Sequence, residues 1–264
     1  MPDTREHRGP HPADAELFAP GQLDRLRAAV ADFSMLLTKG YADKSALTLV
    51  GDRFSLTQRQ RLAVMRNACS DQQLHSRLER RVPVGDLVGQ PIAIDGYNLL
   101  ITIEAAMSGG LIFKGRDGCF RDLASIHGTY RKVEETIPAI NLIGQFLMQI
   151  RTAEVRVEGI LPSDRGRDAL DTAIPQALWL LDSPVSNSGR LKTLFGQRAL
   201  EHNWPWEIRL TISPDAELRK TDEIVVSTDS AVLDACQRWT NLAAEIITRE
   251  LPQTVVLDIA ASPP

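Results

Sequence analysis

Three short apolar runs, each closed by an aspartate, limit the folds open to this 264-residue chain more than any other feature. The runs span residues 92–94, 177–181 and 224–226, and they lead into Asp95, Asp182 and Asp229. Continuous apolar runs are typical of strands buried on both faces, as in a parallel sheet. Further strands are predicted at 207–212 and 254–259, and helices at 134–150, 188–202 and 230–251. This alternation predicts an α/β fold with a mainly parallel central sheet between layers of helices.

The chain divides into segments of different composition and charge. Residues 1–20 are polar and rich in proline, which predicts a disordered leader. Residues 21–82 carry a net charge of +5, from eleven Lys and Arg against six Asp and Glu, whereas residues 83–264 carry −7. We therefore expect a basic N-terminal domain over 21–82 and an acidic α/β domain over 90–264, joined by a linker. A basic segment can hold a polyanion and an acidic one a cation.

The basic segment is predicted to be a small all-helical region. Its longest helix carries apolar residues at helical spacing from Leu23 to Leu37 and ends at Gly40, a favoured C-cap residue. Shorter helices are predicted at 45–50 and 70–81, and residues 55–58 match a capping box that opens a helix between them. Further along the chain, residues 109–122 predict a β-hairpin.

Composition excludes several classes of protein. Hydrophobic residues make up 43% and charged residues 24%, which is ordinary for a globular protein. The sequence has no apolar stretch long enough to span a bilayer, and its N-terminus lacks the apolar core of a signal peptide, so we expect a cytoplasmic protein. Cys69, Cys119 and Cys236 are scattered without CxxC spacing, which predicts neither a zinc site nor a disulfide framework.

The aspartates at the predicted strand ends are candidates for a cation site. In open α/β sheets, ligands bind outside the carboxyl ends of the strands, near the switch in strand order. Carboxylates gathered there repel one another unless a cation lies between them, and Mg²⁺ and Mn²⁺ prefer such oxygen ligands. Two such ions can activate a water molecule and stabilise the leaving oxygen of a phosphodiester. For each residue alone a structural role stays open, Asp229 as a helix N-cap and Asp95 and Asp182 as turn residues.

The tetrapeptide Asp95-Gly96-Tyr97-Asn98, directly after a buried strand, resembles the first motif of NYN domains within the PIN-like nuclease superfamily. Asp182 is similar to the acid after a middle strand of that fold, and Asp229 to its late acid. The resemblance covers about residues 91–259. The segments 95–104 and 117–122 also resemble an uncharacterised prokaryotic family that joins a small helical N-terminal region to a PIN-like domain.

This resemblance implies a three-layer α/β/α sandwich that acts as an endoribonuclease dependent on Mg²⁺ or Mn²⁺. Asp95, Asp182 and Asp229 would be metal ligands, and Asn98 would orient the first acid or contact the scissile phosphate. The extra acid that such sites take from a helix would be Glu104 or Asp122. The chain departs from the NYN pattern between residues 105 and 131, which leaves that ligand open.

Further residues are candidates for substrate binding. Ser186, Asn187 and Ser188 open a predicted helix whose free backbone amides suit phosphate, with Arg190 adding charge; a simple helix cap is the alternative. In the basic helices, Arg59 and Arg61 could contact nucleic acid. The resemblance implies that this nucleic acid is RNA. It also implies a possible homodimer, because PIN-like domains often pair. His127 and the Trp204–Trp206 loop are predicted to be structural.

Other functions compete with cleavage. The chain could be a non-catalytic, RNA-binding regulatory module with a degenerate PIN-like site, in which the basic helices hold phosphates. A haloacid-dehalogenase-like phosphatase would need a second acid two residues after Asp95, where the chain has Tyr97. A dinucleotide-binding fold would need GxGxxG after its first strand, and the sequence has none.

Overall fold

The computed structural model describes residues 7–124, 130–155 and 176–260. Within these ranges, no helix has both the length and the apolar character needed to cross a membrane. The N-terminal region is helical, as predicted, and its helices are α1 (Asp14–Leu17), α2 (Pro20–Thr38), α3 (Asp43–Arg53), α4 (Gln58–Asn67) and α5 (Asp71–Glu79).

The capping box before α4 lies two residues later than the sequence predicts. The Thr57 hydroxyl accepts from the Gln60 amide at 3.3 Å, and the Gln60 side chain accepts from the Thr57 amide at 3.1 Å. Ser55, the predicted cap, instead adopts a positive φ of 48° in the turn that precedes it. Residues 57–60 also match the capping-box pattern. When the helix begins at this later position, Ala63 and Val64 of α4 are buried.

Residues 7–20, where the sequence predicts a disordered leader, pack against the rest of the chain. The Asp14 carboxylate is buried and accepts from the Arg59 guanidinium at 2.5 and 2.8 Å. Phe18 packs edge-on against Phe113, with ring centroids 4.9 Å apart. A partly buried ion pair and a buried aromatic residue therefore anchor this segment to the helical region and to the segment 109–122.

The remainder of the described chain is an α/β fold. After a 3₁₀ turn at Val84–Leu87, its elements in chain order are β1 (Ile92–Asp95), α6 (Gly96–Met107), β2 (Ile112–Lys114), β3 (Phe120–Arg121), α7 (Thr136–Val155), β4 (Ala177–Asp182), α8 (Ser188–His202), β5 (Trp206–Thr211), α9 (Pro214–Leu218), β6 (Ile224–Val226), α10 (Ser230–Leu233), β7 (Trp239–Thr240), α11 (Leu242–Glu250) and β8 (Val256–Asp258).

A parallel sheet of five strands, in the order β5-β4-β1-β6-β7, organises this fold. On one face of β1, Ile92 and Ile94 join the largest core cluster together with residues of α6, α7, α8 and α11. On the other face, Ala93 joins a smaller cluster that includes Val232 and Leu233 of α10. Because β4 and β6 lie on opposite sides of β1, the strand order switches at β1, and a crevice is expected above its carboxyl end.

The last predicted helix, 230–251, is wrong as a single element. Trp239 and Thr240 form a strand parallel to β6, and the chain is helical only on either side of them. The Trp239 indole is fully buried and donates to the Arg77 carbonyl at 2.8 Å. Aromatic and β-branched residues suit such a position, and contacts distant in sequence override the helical periodicity.

The predicted hairpin at 109–122 is confirmed, since β2 and β3 pair antiparallel. The predicted strand at 254–259 forms as β8, but it pairs with β2 in a second, smaller sheet of order β3-β2-β8. Side chains of this second sheet, Phe113 among them, complete the apolar core of the helical region.

Candidate active site at the carboxyl edge of the sheet

Asp95 lies at the switch point, where β1 ends and α6 begins. Its side chain is 7% exposed. Oδ1 accepts from the Asn98 amide at 3.2 Å as an N-cap of α6, and Oδ2 accepts from the Ser227 hydroxyl at 2.9 Å. A carboxyl group is thus held on both oxygens at the position where α/β sheets bind ligands.

Burial raises the pKa of the Asp95 carboxyl to about 7. The hydrogen bonds from Ser227 and Asn98 oppose this shift, while the negative charges of Asp215 and Asp229 add to it. Near neutral pH this carboxyl therefore lies close to the midpoint of its titration. A positive charge placed beside it would stabilise the ionised form.

Two further acids with a raised pKa lie near this position. Half-burial raises the pKa of Asp182, at the end of β4, and the charge of Asp215 raises it further. Half-burial also raises the pKa of Asp215, with a contribution from Asp229, and Arg219 opposes it. The structure thus brings Asp95, Asp182 and Asp229 into one electrostatic neighbourhood and adds Asp215.

Sequence reasoning missed Asp215. The residue lies in α9, four positions after the end of β5, so the rule that selected the other acids also applies to it. The Ser213-Pro214 turn separates it from the strand, and β5 lies at the edge of the sheet with alternating exposure. The sequence does place an acid shortly after the end of β5. That acid was not selected because β5 is not a continuous apolar run.

Asn98 and Asp229 are fixed by the loop that follows β6. The Asn98 side-chain oxygen accepts from the Thr228 amide at 2.9 Å and from its hydroxyl at 3.0 Å. Asp229 caps α10, since its Oδ1 accepts from the amides of Ala231 and Val232 at 2.9 and 3.1 Å. Asp229 therefore has the helix-capping role, and its Oδ1 is used for that purpose.

A buried ionic network connects this loop to the helical region. Arg121 donates twice to Asp117, at 2.8 and 2.7 Å, and once to the Thr228 carbonyl at 2.8 Å. Arg77 of α5 donates to Asp117 at 2.6 Å and to the Ser230 carbonyl at 3.3 Å. Although burial acts in the opposite direction, Arg121 and Arg77 hold the pKa of Asp117 far below its ordinary value. Two cations thus secure the backbone on either side of Asp229.

Glu104 lies away from the other acids. It is nine residues after Asp95 on one helix, a separation of about 13 Å along the axis. Its carboxylate is fully buried and pairs with Arg8, Tyr130 and Thr136. Burial raises its pKa, and Arg8 opposes the shift. These contacts are those of a buried structural carboxylate.

Asp122 lies nearer to the candidate site. Its Oδ2 accepts from the Thr102 hydroxyl at 2.8 Å and its Oδ1 from the Ala124 amide at 2.6 Å. Together with Asn98 and Asp229 it lines a cavity of about 530 Å³ between the helical region and the sheet.

The predicted phosphate-binding segment at the start of α8 uses most of its polar groups internally. The Ser188 hydroxyl is buried and hydrogen-bonds with the Asp182 carbonyl and the Tyr97 hydroxyl. Asn187 has a positive φ of 73° and donates to the Tyr130 carbonyl, and the Ser186 carbonyl accepts from the Tyr130 amide. Arg190 is exposed at the rim of a separate cavity.

The arginines predicted to hold nucleic acid also have partners within the chain. Arg59 pairs with Asp14, and Arg61 pairs with Asp52 at 2.6 Å. Arg66 donates to the Asp122 carbonyl at 2.7 Å. His127 lies outside the described residues. The Trp204–Trp206 loop packs on Trp179, as its structural interpretation predicts.

The side chains of the described residues do not by themselves form a cage of metal ligands. Across residues 7–124, 130–155 and 176–260, no group of three or more His, Cys, Asp or Glu side chains could hold a metal ion. The acids at the sheet edge are close enough to raise one another's pKa, but they do not surround a single point. Mg²⁺ usually keeps several waters and takes only one or two carboxylates directly, so this donor set fits Mg²⁺ with bound water better than an all-protein cage.

Most of the chain matches two known protein families. Residues 84–158 and 167–245 match the family described as a domain of unknown function, DUF5616. Residues 25–80 match a second family, a protein of unknown function, DUF434. The uncharacterised protein MJ0935 of Methanocaldococcus jannaschii is 26% identical over 208 residues, which cover 79% of this chain and 88% of that protein. No solved structure matches.

Proposed function

The chain belongs to the DUF5616 family, and we propose that it is an endoribonuclease dependent on Mg²⁺ or Mn²⁺, built on a PIN-like three-layer α/β/α sandwich. The observation that carries the proposal is the position of Asp95. It lies at the switch point of a parallel sheet, with its pKa raised to about 7 and other acids around it. Perturbed acids grouped where an α/β sheet binds ligands are typical of functional sites.

Electrostatics favours a cation at this edge. Asp95, Asp182 and Asp215 each have a raised pKa, to which a neighbouring carboxylate contributes. Arg219, at 3.8 Å from Asp215, offsets only part of this repulsion. Asp95, Asp215 and Asp229 would hold the cation directly or through water. When bound, it supplies a Lewis acid and a water molecule of lowered pKa.

The protein's own groups would position the reactants. Ser227 and the Asn98 amide keep the Asp95 carboxylate in one orientation. Asp182 and Asp215 are only partly buried, so they can contact the attacking water, and a raised pKa suits either to accept its proton. The bond broken would be the phosphodiester P–O bond of an RNA strand that crosses the edge of the sheet.

The contacts of the basic helices weigh against the non-catalytic alternative. A module that only holds RNA would need cations free to contact phosphates. Arg59 and Arg61 are instead paired with Asp14 and Asp52. A cytoplasmic location and a homodimer stay predictions.

Cleavage of a labelled single-stranded RNA tests the proposal. The full chain is incubated with Mn²⁺, with chelator, and as the Asp95→Asn variant, with Asp222→Asn as the matched control because Asp222 is exposed. We expect cutting that requires Mn²⁺, disappears in Asp95→Asn and persists in Asp222→Asn. RNA that is bound but uncut under all conditions would support the binding module instead.

A further inference from the structure

The cavity beside the acidic edge joins the two halves of the molecule. Its volume is about 530 Å³, within the range of sites that bind small molecules. Phe33, Leu62 and Met65, from α2 and α4, contribute apolar surface from the helical region. Asn98 and Asp229 contribute polar groups from the α/β part of the chain. An apolar lining with a small number of polar groups is typical of a pocket that binds a flat group with polar edges.

The charges of the lining suit an uncharged group. Three arginines and three aspartates line the cavity: Arg66, Arg77, Arg121, Asp43, Asp122 and Asp229. Arg77 and Arg121 already pair with the buried Asp117, and Arg66 donates to the carbonyls of Asp122 and Ala124. A phosphate inside the cavity would therefore meet no surplus of positive charge to compensate its own negative charge. A neutral nucleobase needs no such compensation.

Asn98 places the cavity next to the proposed chemistry. Its backbone amide donates to Asp95, and its side chain lines the cavity. A nucleotide whose phosphate lies at the acidic edge therefore has its base within reach of the cavity. A base in a duplex is stacked and paired, so only an unpaired nucleotide could enter.

We propose that this cavity receives the unpaired base of the nucleotide next to the scissile phosphodiester, so that the helical region forms one wall of the substrate site. The inference rests on the proposed function. The base would lie with its face on Leu62 and Met65 and with its polar edge toward Asn98 and Asp122. Single-stranded RNA is then the substrate class, and apolar contact with the face of a base tolerates more than one base identity because every base has such a face.

A fluorescent base tests the proposal in the full chain. A short single-stranded oligoribonucleotide with one 2-aminopurine is titrated with the protein in chelator, where no cutting is expected. Met65→Trp fills the cavity from the helical region and Ala231→Trp fills it from the α/β part, and both positions are exposed enough to accept the change. Ala235→Trp and Leu49→Trp are matched controls at exposed positions that do not line the cavity. Thermal unfolding of each variant checks its fold.

Each cavity-filling variant should bind the probe about tenfold more weakly than its control, on the order of the loss measured when the contact to one base is removed. An abasic probe should bind the unsubstituted chain with a similar loss. The proposal is overturned if the unsubstituted chain does not bind the probe, or if filled and control variants bind equally. In the latter case Mn²⁺-dependent cleavage can still stand. Weakened binding in a chain that cleaves nothing would support the cavity and overturn the nuclease.

Discussion

The Ser227 hydroxyl donates a hydrogen bond of 2.9 Å to Oδ2 of Asp95, which joins the carboxyl ends of β6 and β1. The same hydroxyl oxygen accepts from the Asp229 amide at 3.1 Å. One small side chain thus fixes the positions of two acids on neighbouring strands. Within the described part of the chain, the hydrogen bonds to the buried Asp95 carboxyl come from uncharged groups, and burial raises its pKa.

The raised pKa of Asp95 predicts a pH dependence of stability. Its value of about 7 in the fold exceeds the ordinary 3.8, so between these values the folded chain retains a proton that the unfolded chain has lost. The free energy of unfolding should therefore fall as pH rises from about 4 to about 7. Asp95→Asn should make this slope less steep, because the remaining slope comes from other acids with a raised pKa, such as Asp182 and Asp215. The difference in the free energy of unfolding between Asp95→Asn and the unsubstituted chain should therefore shift in favour of the variant from pH 4 to pH 8, by on the order of 1–4 kcal/mol.

Urea unfolding at a series of pH values, in chelator, measures this effect. Asp222→Asn is the control and should retain the slope of the unsubstituted chain. Parallel curves for Asp95→Asn and the unsubstituted chain would show that burial does not perturb this carboxyl.

Asp215 is expected to contribute to cleavage although it was found only from the structure. Asp215→Asn removes a charge that raises the pKa of both Asp95 and Asp182. If Asp215 holds the cation or its water, the rate should fall at least about tenfold. Steady-state cleavage with Mn²⁺ measures this, with Asp222→Asn as control. An unchanged rate would remove Asp215 from the site.

Glu104 is expected to matter for stability and not for chemistry. Glu104→Gln leaves Arg8 without its buried counter-ion and should lower the free energy of unfolding by about 1–3 kcal/mol. Cleavage per folded molecule should stay unchanged, because Glu104 lies about 13 Å along α6 from Asp95. A loss of Mn²⁺-dependent cutting without a loss of stability would return Glu104 to the metal ligands.

The buried arginine network should be costly to break. Arg121→Met removes one of the two cations that pair with the buried Asp117 among the described residues, and Arg77 stays. Removal of one partner from a buried pair typically costs about 3–5 kcal/mol. Arg53→Met breaks an exposed pair with Asp32 and should cost no more than about 1 kcal/mol. Chemical denaturation at neutral pH compares the two. Equal losses would contradict the assignment of Asp117 as a buried ionic centre.

Much of the sheet could be predicted because its central strands are continuous apolar runs. Strands β1, β4 and β6 form where the sequence places them, and their terminal acids follow from chain direction alone. Glu104 was a candidate because the resemblance implies an extra acid from a helix, and helical rise carries it about 13 Å from Asp95. The pairing of Arg77 with Asp117 joins residues 40 positions apart, which no local periodicity reveals. The same holds for β7, where a long-range ladder interrupts a helical pattern.

Isothermal titration calorimetry, which measures the affinity of the full chain for Mn²⁺, tests the central claim most directly. The unsubstituted chain and Asp222→Asn should bind Mn²⁺, and Asp95→Asn should bind it at least about tenfold more weakly because it loses a carboxylate at the switch point. Mn²⁺ binding of equal strength in all three proteins, or in none of them, would contradict a metal site at the carboxyl edge of this sheet.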